Sequence, residues 1–483
     1  MSDLSKSYKR ILTSTSITGG ATVANIIVGV IRTKIIAMLL GPTGIGLIGL
    51  LQSFVATATT LVGMGIPTAA SRQIATKKGG HSSIGVETIC QALFLGVIAL
   101  GVIGCLTIWF FKDTFALLIL DSSVNGNTVG LLSLAVLFST INAAQLAVLQ
   151  GMREINVLAK INVVSGMIGS AVGILIIWKL KYNGISIFLV ALPITSLILS
   201  AYYFRKNFSF SIMKIRLLGA WNELRIMAKL GLALFFFGLL EQITFLLIRS
   251  VINGNLGGDQ LGYFQAAWTI AVMYFGVISG AMANDFMPRV AEHALDNGAV
   301  NKIINQQTEI GILIAAPIIV LMMGCSPFII SFMYTEEFNE ASNLMKLLLL
   351  SDILKLISWP IGIALVGIGD GTVFIRQGPI QLLILLSGVY LLTPIFGLTS
   401  VGFAMIFTQS LGFIWGYFYM HSKTGYLLDN KIKIFILILF IINLLIFFIS
   451  SLNNKIGAVL AIVFSLIIAI FSYKDIRSKV SIE

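Results

Sequence analysis

The sequence predicts an all-α, polytopic membrane protein, and three observations predict it. Hydrophobic residues fill 57% of the 483 positions and charged residues only 11%, less than half of the roughly 25% usual in a soluble domain. Apolar runs of about 20 residues, the length that crosses a bilayer as a helix, recur along the whole chain. Between them lie short segments that carry most of the basic side chains, as expected of cytoplasmic loops.

The first run, 11–39, follows Lys6, Lys9 and Arg10. It is too long for a signal peptide and no small-residue cleavage pattern follows, so it reads as the first spanning helix. Gly41 and Pro42 end it, because glycine and proline punctuate helices. Runs at 44–76, 84–111, 127–151, 156–178 and 184–204 complete a first set of six. The basic connection from Phe204 to Arg225 reads as a hinge between halves. A second set follows at 226–252, 260–291, 303–327, 341–367, 376–395 and 399–421, and runs at 432–450 and 456–473 close the chain.

The total is about fourteen spans. The expected organisation is an N-terminal lobe, 1–220, a C-terminal lobe, 221–425, and two additional transmembrane helices within 426–483. Two short echoes support pseudo-symmetric six-helix lobes. Gly41 to Gly46 after the first span is answered by Gly257 to Gly262 after the seventh, and Pro67 with Arg72 by Pro288 with Arg289. Repeats of equal orientation would be related by an axis along the membrane normal, with a cavity between them.

A net charge of +12 does not point to nucleic acid, because the bases are scattered over many loops and form no stripe. With the N-terminus inside, only Lys112, Lys179, Lys181, Lys346 and Lys455 fall in outer loops. Both termini are therefore expected in the cytoplasm. Cys90, Cys105 and Cys325 sit in apolar runs without paired spacing and read as packing residues.

Enzyme chemistry finds no foothold. The loops are short, no Asp-x-Asp pair or Walker-type phosphate loop occurs, and His81, His293 and His421 fall in loops where a surface histidine is the plain reading. Gly44, Gly46 and Gly49 match a dinucleotide fingerprint but open a membrane helix without a preceding strand. They suit close helix packing.

Ionisable residues at bilayer depth are costly and usually face a cavity or a partner. They are Arg32 and Lys34 in the first span, Glu241 and Arg249 in the seventh, Asp285 in the eighth, and Asp352 with Lys355 in the tenth. Arg32 and Lys34 point about 200° apart, so one at most looks squarely into a central cavity. Asp352 and Lys355 share a helix face and either neutralise each other or serve a ligand. Glu241 and Arg249 are two turns apart, which leaves Arg249 for a ligand unless a carbonyl takes it. Gln52, Gln242, Gln265, Trp268 and Tyr274 suit a sugar, and core packing explains them equally well. A cationic cavity fits an anionic cargo, because guanidinium forks bind phosphate bidentately.

Leu40 to Leu47 with Gln52, Gly63 to Pro67, Leu149 to Arg153, Leu261 to Gln265, and Ser351 to Lys355 stand in an informative order and spacing. Together they resemble the Wzx-type lipid-linked oligosaccharide flippases of the multidrug/oligosaccharidyl-lipid/polysaccharide (MOP) exporter superfamily, in the manner of O-antigen and enterobacterial common antigen translocases. The resemblance implies two lobes that alternate between inward-open and outward-open forms. The cargo it implies is undecaprenyl-pyrophosphate-linked glycan, carried from the cytoplasmic to the periplasmic leaflet of a bacterial inner membrane. Arg249 and the Asp352–Lys355 pair fall where such proteins carry similar residues. Membrane lipid and other polysaccharide assembly proteins are the implied partners, with no cofactor, and a proton or sodium gradient or the membrane potential would drive transport. The alternatives are a cation-coupled multidrug exporter of the same superfamily, which needs an acid cluster absent from the first six spans, and a polysaccharide polymerase, against which the short outer loops argue.

Overall fold

A computed structural model describes residues 2–79, 83–120, 126–207 and 217–480, and every regular element among them is helical. His81 and the basic residues Lys214 and Arg216 of the expected hinge lie outside the described residues. The chain divides into two compact units, Met1–Gly254 and Asn255–Glu483.

The first unit holds α1 (Ser2–Gly63), α2 (Ile66–Gly79), α3 (Ser83–Phe110), α4 (Lys112–Leu120), α5 (Gly126–Gly151), α6 (Ile155–Leu180), α7 (Ile185–Asn207) and nearly all of α8 (Leu217–Leu256). The second holds α9 (Gly258–Glu292), α10 (Asn297–Met333), α11 (Ala341–Gly367), α12 (Thr372–Phe396), α13 (Thr399–Thr424), α14 (Asn430–Leu452) and α15 (Asn454–Val480).

Twelve helical stretches among the described residues are long and apolar enough to cross a membrane. Two of them, 19–63 and 155–206, run to 45 and 52 residues, over twice the ~20 that one crossing needs, and each contains a break. Gly41 adopts φ 64° ahead of Pro42 inside α1, where the left-handed backbone and the missing N–H interrupt the ladder. The Tyr182 hydroxyl donates to the Leu40 carbonyl at 2.7 Å, which satisfies an acceptor at this break. A 3-10 turn, Lys181–Gly184, separates α6 from α7.

A second break at Met64 and Gly65, with φ 46° and 68°, divides α1 from α2 and brings Gly65 against α8. A Cβ on Gly65 would lie 2.5 Å from the Gly231 carbonyl oxygen, so only glycine allows this approach. Ile66, Ala70, Ile74, Ile89, Leu93 and Met227 form the core beneath it. The Lys77–Glu223 ion pair, at 2.6 Å, fastens the end of α2 to α8.

In the second unit the connection between α13 and α14 is tied to α10 by two asparagines one turn apart. Asn301 exchanges hydrogen bonds with Thr424, while Asn305 donates to the Leu427 carbonyl and accepts from the Tyr426 hydroxyl and the Asp429 N–H. Farther along, α10 meets α15 through small residues: a Cβ on Gly324 would come within 2.5 Å of the Gly457 carbonyl oxygen.

Two expectations need correction. The outer segment after the third run is not all loop, since α4 occupies Lys112–Leu120. Lys346 is not in a loop at all. It lies in α11 and is 1% exposed, because α11 begins at Ala341 and its apolar neighbours Leu344 and Leu347 to Leu350 carry the lysine inward.

Candidate functional site

Arg249, Lys346 and Asp352 are the buried charged side chains among the described residues. Around them, and around Arg32 and Lys355, each unit builds its own polar constellation.

In the first unit, Arg32 lies on α1, nine residues before Gly41, with its guanidinium 6.0 Å from the centre of the Phe188 ring on α7. Phe188 fits there because Gly173 of α6 has no side chain: a Cβ would fall 2.3 Å from the ring. Lys34 is half-buried on α1, while Gln52 and Glu241 are exposed at the surface of the unit. Arg249 is buried on α8 and donates to the Phe245 carbonyl one turn back, at 3.1 Å, so part of its donor set serves its own helix. The Thr57 hydroxyl donates to the Gln242 carbonyl at 3.3 Å and joins the second half of α1 to α8.

In the second unit, the Tyr274 hydroxyl of α9 donates to the Asp352 carboxylate of α11 at 2.6 Å. Lys355, one turn along α11, places its ammonium 4.0 Å from the centre of the Phe275 ring. Asp352 and Lys355 form no ion pair within 4.0 Å among the described residues. Adjacent residues of α9 thus hold the two charges of α11 separately, one by a hydrogen bond and one over an aromatic face. Gln265 is half-buried and donates to Thr269 of its own helix at 3.1 Å. Trp268 stacks on Phe264. The side chain of Asp285 lies outside the described residues.

The charged residues were readable from sequence, but the aromatic platforms Phe188 and Phe275 were not. Each touches its cation only through the packing of helices distant in the chain, and an apolar phenylalanine in an apolar run gives no signal.

In the second unit, α10, α14 and α15 form a cleft of about 190 Å³ lined by Ile312, Leu313, Phe435 and Phe471. Lys431 closes one end, 3.1 Å from Glu309 and 2.8 Å from Asp475.

Residues 35–343 match a family described as polysaccharide biosynthesis proteins. No curated protein sequence matches the chain. Solved structures share its architecture at low identity. The lipid II flippase MurJ, in an inward closed conformation, superposes with a TM-score of 0.70 at 16% identity, covering 95% of this chain and 99% of that one. An inward-facing multidrug resistance transporter of the MATE family and MOP superfamily gives 0.60 at 16% identity, covering 83% and 98%. A MOP superfamily transporter from Pyrococcus furiosus, described as having a binding pocket of reverse polarity, gives 0.55 at 16%, covering 85% and 96%. With more than half of its length matched, the chain belongs to the polysaccharide biosynthesis protein family, and its multi-pass helical fold is that of the MOP superfamily transporters.

Proposed function

We propose that the protein is a flippase that carries a polyprenyl-pyrophosphate-linked oligosaccharide, of the undecaprenyl O-antigen type, from the cytoplasmic to the periplasmic leaflet of a bacterial inner membrane. The observation that carries the reading is the family match over residues 35–343, because it ties a transporter fold to polysaccharide assembly. The likeness to a lipid II flippase supports a lipid-linked cargo.

On this reading the chain crosses the membrane fourteen times, once for each helix of the broken stretches 19–63 and 155–206, with both termini in the cytoplasm. Two six-helix lobes alternate access through a cationic central cavity, and the C-terminal pair is additional to them. Arg32, Lys34, Arg249 and Lys355 are the proposed counter-charges for the pyrophosphate. Gln52, Gln265, Glu241, Asp285 and Asp352 are the proposed polar contacts of the glycan or of a coupling ion. An inside-negative potential favours outward movement of an anion by about 2.3 kcal/mol per charge per 100 mV.

The test is genetic and chemical. A strain lacking the protein should accumulate a lipid-linked glycan on the cytoplasmic leaflet, and an Arg249→Ala variant expressed at normal level should not relieve it. Full complementation by that variant, together with tolerance of Arg32→Ala and Lys355→Ala, would remove the counter-charge proposal. Absence of any accumulated glycan would remove the flippase reading.

A further inference from the structure

The sequence stretch Leu149 to Arg153 has no part in the constellations above, yet the first unit builds a cavity around its end. This cavity, of about 800 Å³, lies between α1, α5 and α6, within the size range of ordinary small-molecule sites. Its polar lining is Thr22 and Asn25 from α1, Gln150 and Arg153 from the end of α5 and the turn beyond it, and Asn162 from α6. Leu146, Ile155 and Leu158 supply apolar wall. Arg153 is the charged member of the lining, and no carboxylate shares it among the described residues.

The backbone around Arg153 is more demanding than a surface loop requires. Arg153 has φ 56°, the Glu154 N–H reaches the Leu149 carbonyl at 2.9 Å, and the Arg153 N–H reaches the Gln150 carbonyl at 2.9 Å. This is the left-handed helix ending at which glycine is the default residue, and the chain places an arginine there instead. The turn is also clamped. A Cβ on Gly151 would lie 2.7 Å from the Ser71 carbonyl oxygen and 2.8 Å from the Ile74 Cβ, so α5 ends directly on α2. On the other wall, Gly166 lets the Asn25 amide oxygen lie where a Cβ would be 2.9 Å away.

Three side-chain amides, a hydroxyl and one guanidinium form a specific donor and acceptor set. An amide donates and accepts at once, as a sugar hydroxyl or acetamido group does. A guanidinium fork matches a phosphate or carboxylate. Arg153 follows the end of α5, where Gly151 meets Ser71 and Ile74 of α2, the helix that also carries Arg72 and Lys77, and such basic residues mark a cytoplasmic end.

We propose that this cavity is a cytoplasm-side receiving site for a sugar bearing an anionic group, with Asn25, Gln150 and Asn162 taking the hydroxyl or acetamido groups and Arg153 taking the anion. The inference rests on the flippase reading for its cargo and adds a binding site separate from the intramembrane cations. The anion has two possible sources, the linking phosphate or an acidic sugar of the glycan, and both present oxygens to the same fork.

The experiment uses the full-length protein in lipid nanodiscs, titrated separately with N-acetylglucosamine 1-phosphate, glucuronic acid, N-acetylglucosamine and inorganic phosphate. At least one charged sugar should bind, and whichever of the two binds tighter identifies the source of the anion. Arg153→Gly, which suits the left-handed turn and leaves thermal stability equal or higher, should weaken that ligand at least tenfold. Arg153→Lys should fall between, because the charge stays and the fork goes. Asn162→Leu should weaken the charged and neutral sugars alike. Unchanged affinity in Arg153→Gly, inorganic phosphate binding as well as the sugar phosphate, or no binding by any probe would overturn the proposal. Failure here beside normal complementation by the wild-type gene would leave transport standing without this site, whereas retained binding in a protein that relieves no glycan accumulation would remove transport and keep the site.

Discussion

The two units handle charge inside an apolar helical body in opposite ways. The first holds cations without buried acids: among its described residues Arg249 is the buried charge, Arg32 lies at the far limit of a ring contact, and Arg153 faces an open cavity. The second holds a carboxylate and an ammonium three residues apart and gives each its own neighbour, Tyr274 for Asp352 and Phe275 for Lys355. A cation that lines an open cavity, as Arg153 does, can be offered to an anion that arrives. Charges individually fixed keep their geometry with or without a ligand. The first unit thus offers cations with few fixed contacts and the second a fixed polar pair, and each prediction below strains one side of that contrast.

The largest effect is expected at the glycine contacts. A Cβ on Gly65 meets the Gly231 carbonyl oxygen at 2.5 Å and must also adopt φ 68°, while one on Gly324 meets the Ala461 Cβ at 2.4 Å and the Gly457 carbonyl oxygen at 2.5 Å within a regular helix. Overpacking costs about 1–3 kcal/mol in either place, and the left-handed backbone adds about 1–3 kcal/mol at Gly65 alone. Gly65→Ala should therefore lower thermal stability in detergent clearly more than Gly324→Ala. Equal losses would mean that the break between α1 and α2 relaxes, and the first unit would be softer than described.

The Tyr274–Asp352 pair comes next. Tyr274→Phe leaves a buried carboxylate without its hydroxyl donor, which should cost about 2–3 kcal/mol, as for hydrogen bonds to charged groups. Asp352→Asn removes the charge but keeps an acceptor for the tyrosine, so its loss should stay below about 1 kcal/mol. Combining the two should cost less than Tyr274→Phe alone, since no charge remains to be satisfied. A thermal-unfolding double-mutant cycle measures this coupling, and additive losses would show that the tyrosine does not serve the carboxylate.

These features differ in how far the sequence disclosed them. Composition and run length revealed the membrane class, because every window of about 20 apolar residues reports independently on the same solvent. The break at Gly41 and Pro42 was legible because those two residues act on their own backbone. Contacts between distant elements were not. Tyr274 and Asp352 are 78 positions apart, and nothing local marks one as the partner of the other. Lys346 misled for a related reason. A lysine near the end of an apolar run looks like a loop residue, and only the placement of α11 among its neighbours buries it. No hydrogen bond or ion pair to Lys346 is found among the described residues, so Lys346→Met should raise stability by about 1 kcal/mol. A loss instead would show that the second unit uses this charge as well.

The smallest effect separates the two cation-on-ring contacts and tests the comparison most directly. The Lys355 ammonium is 4.0 Å from the Phe275 ring centre and the Arg32 guanidinium 6.0 Å from that of Phe188. Such contacts are worth about 0.5–1 kcal/mol when exposed, near 2 kcal/mol when desolvated, and fade at about 6 Å. Both cations are half-buried, so distance decides between them. A cycle of Phe275→Leu with Lys355→Met should give a coupling of about 1 kcal/mol, and one of Phe188→Leu with Arg32→Met less than about 0.5 kcal/mol. Comparable couplings would mean that Arg32 is held as firmly as Lys355, and the first unit would lose its claim to a cation that can follow a phosphate. The predicted asymmetry gives that claim a consequence in transport: Phe188→Leu should leave glycan export near wild type, while Phe275→Leu should reduce it by freeing a lysine whose position the second unit otherwise keeps.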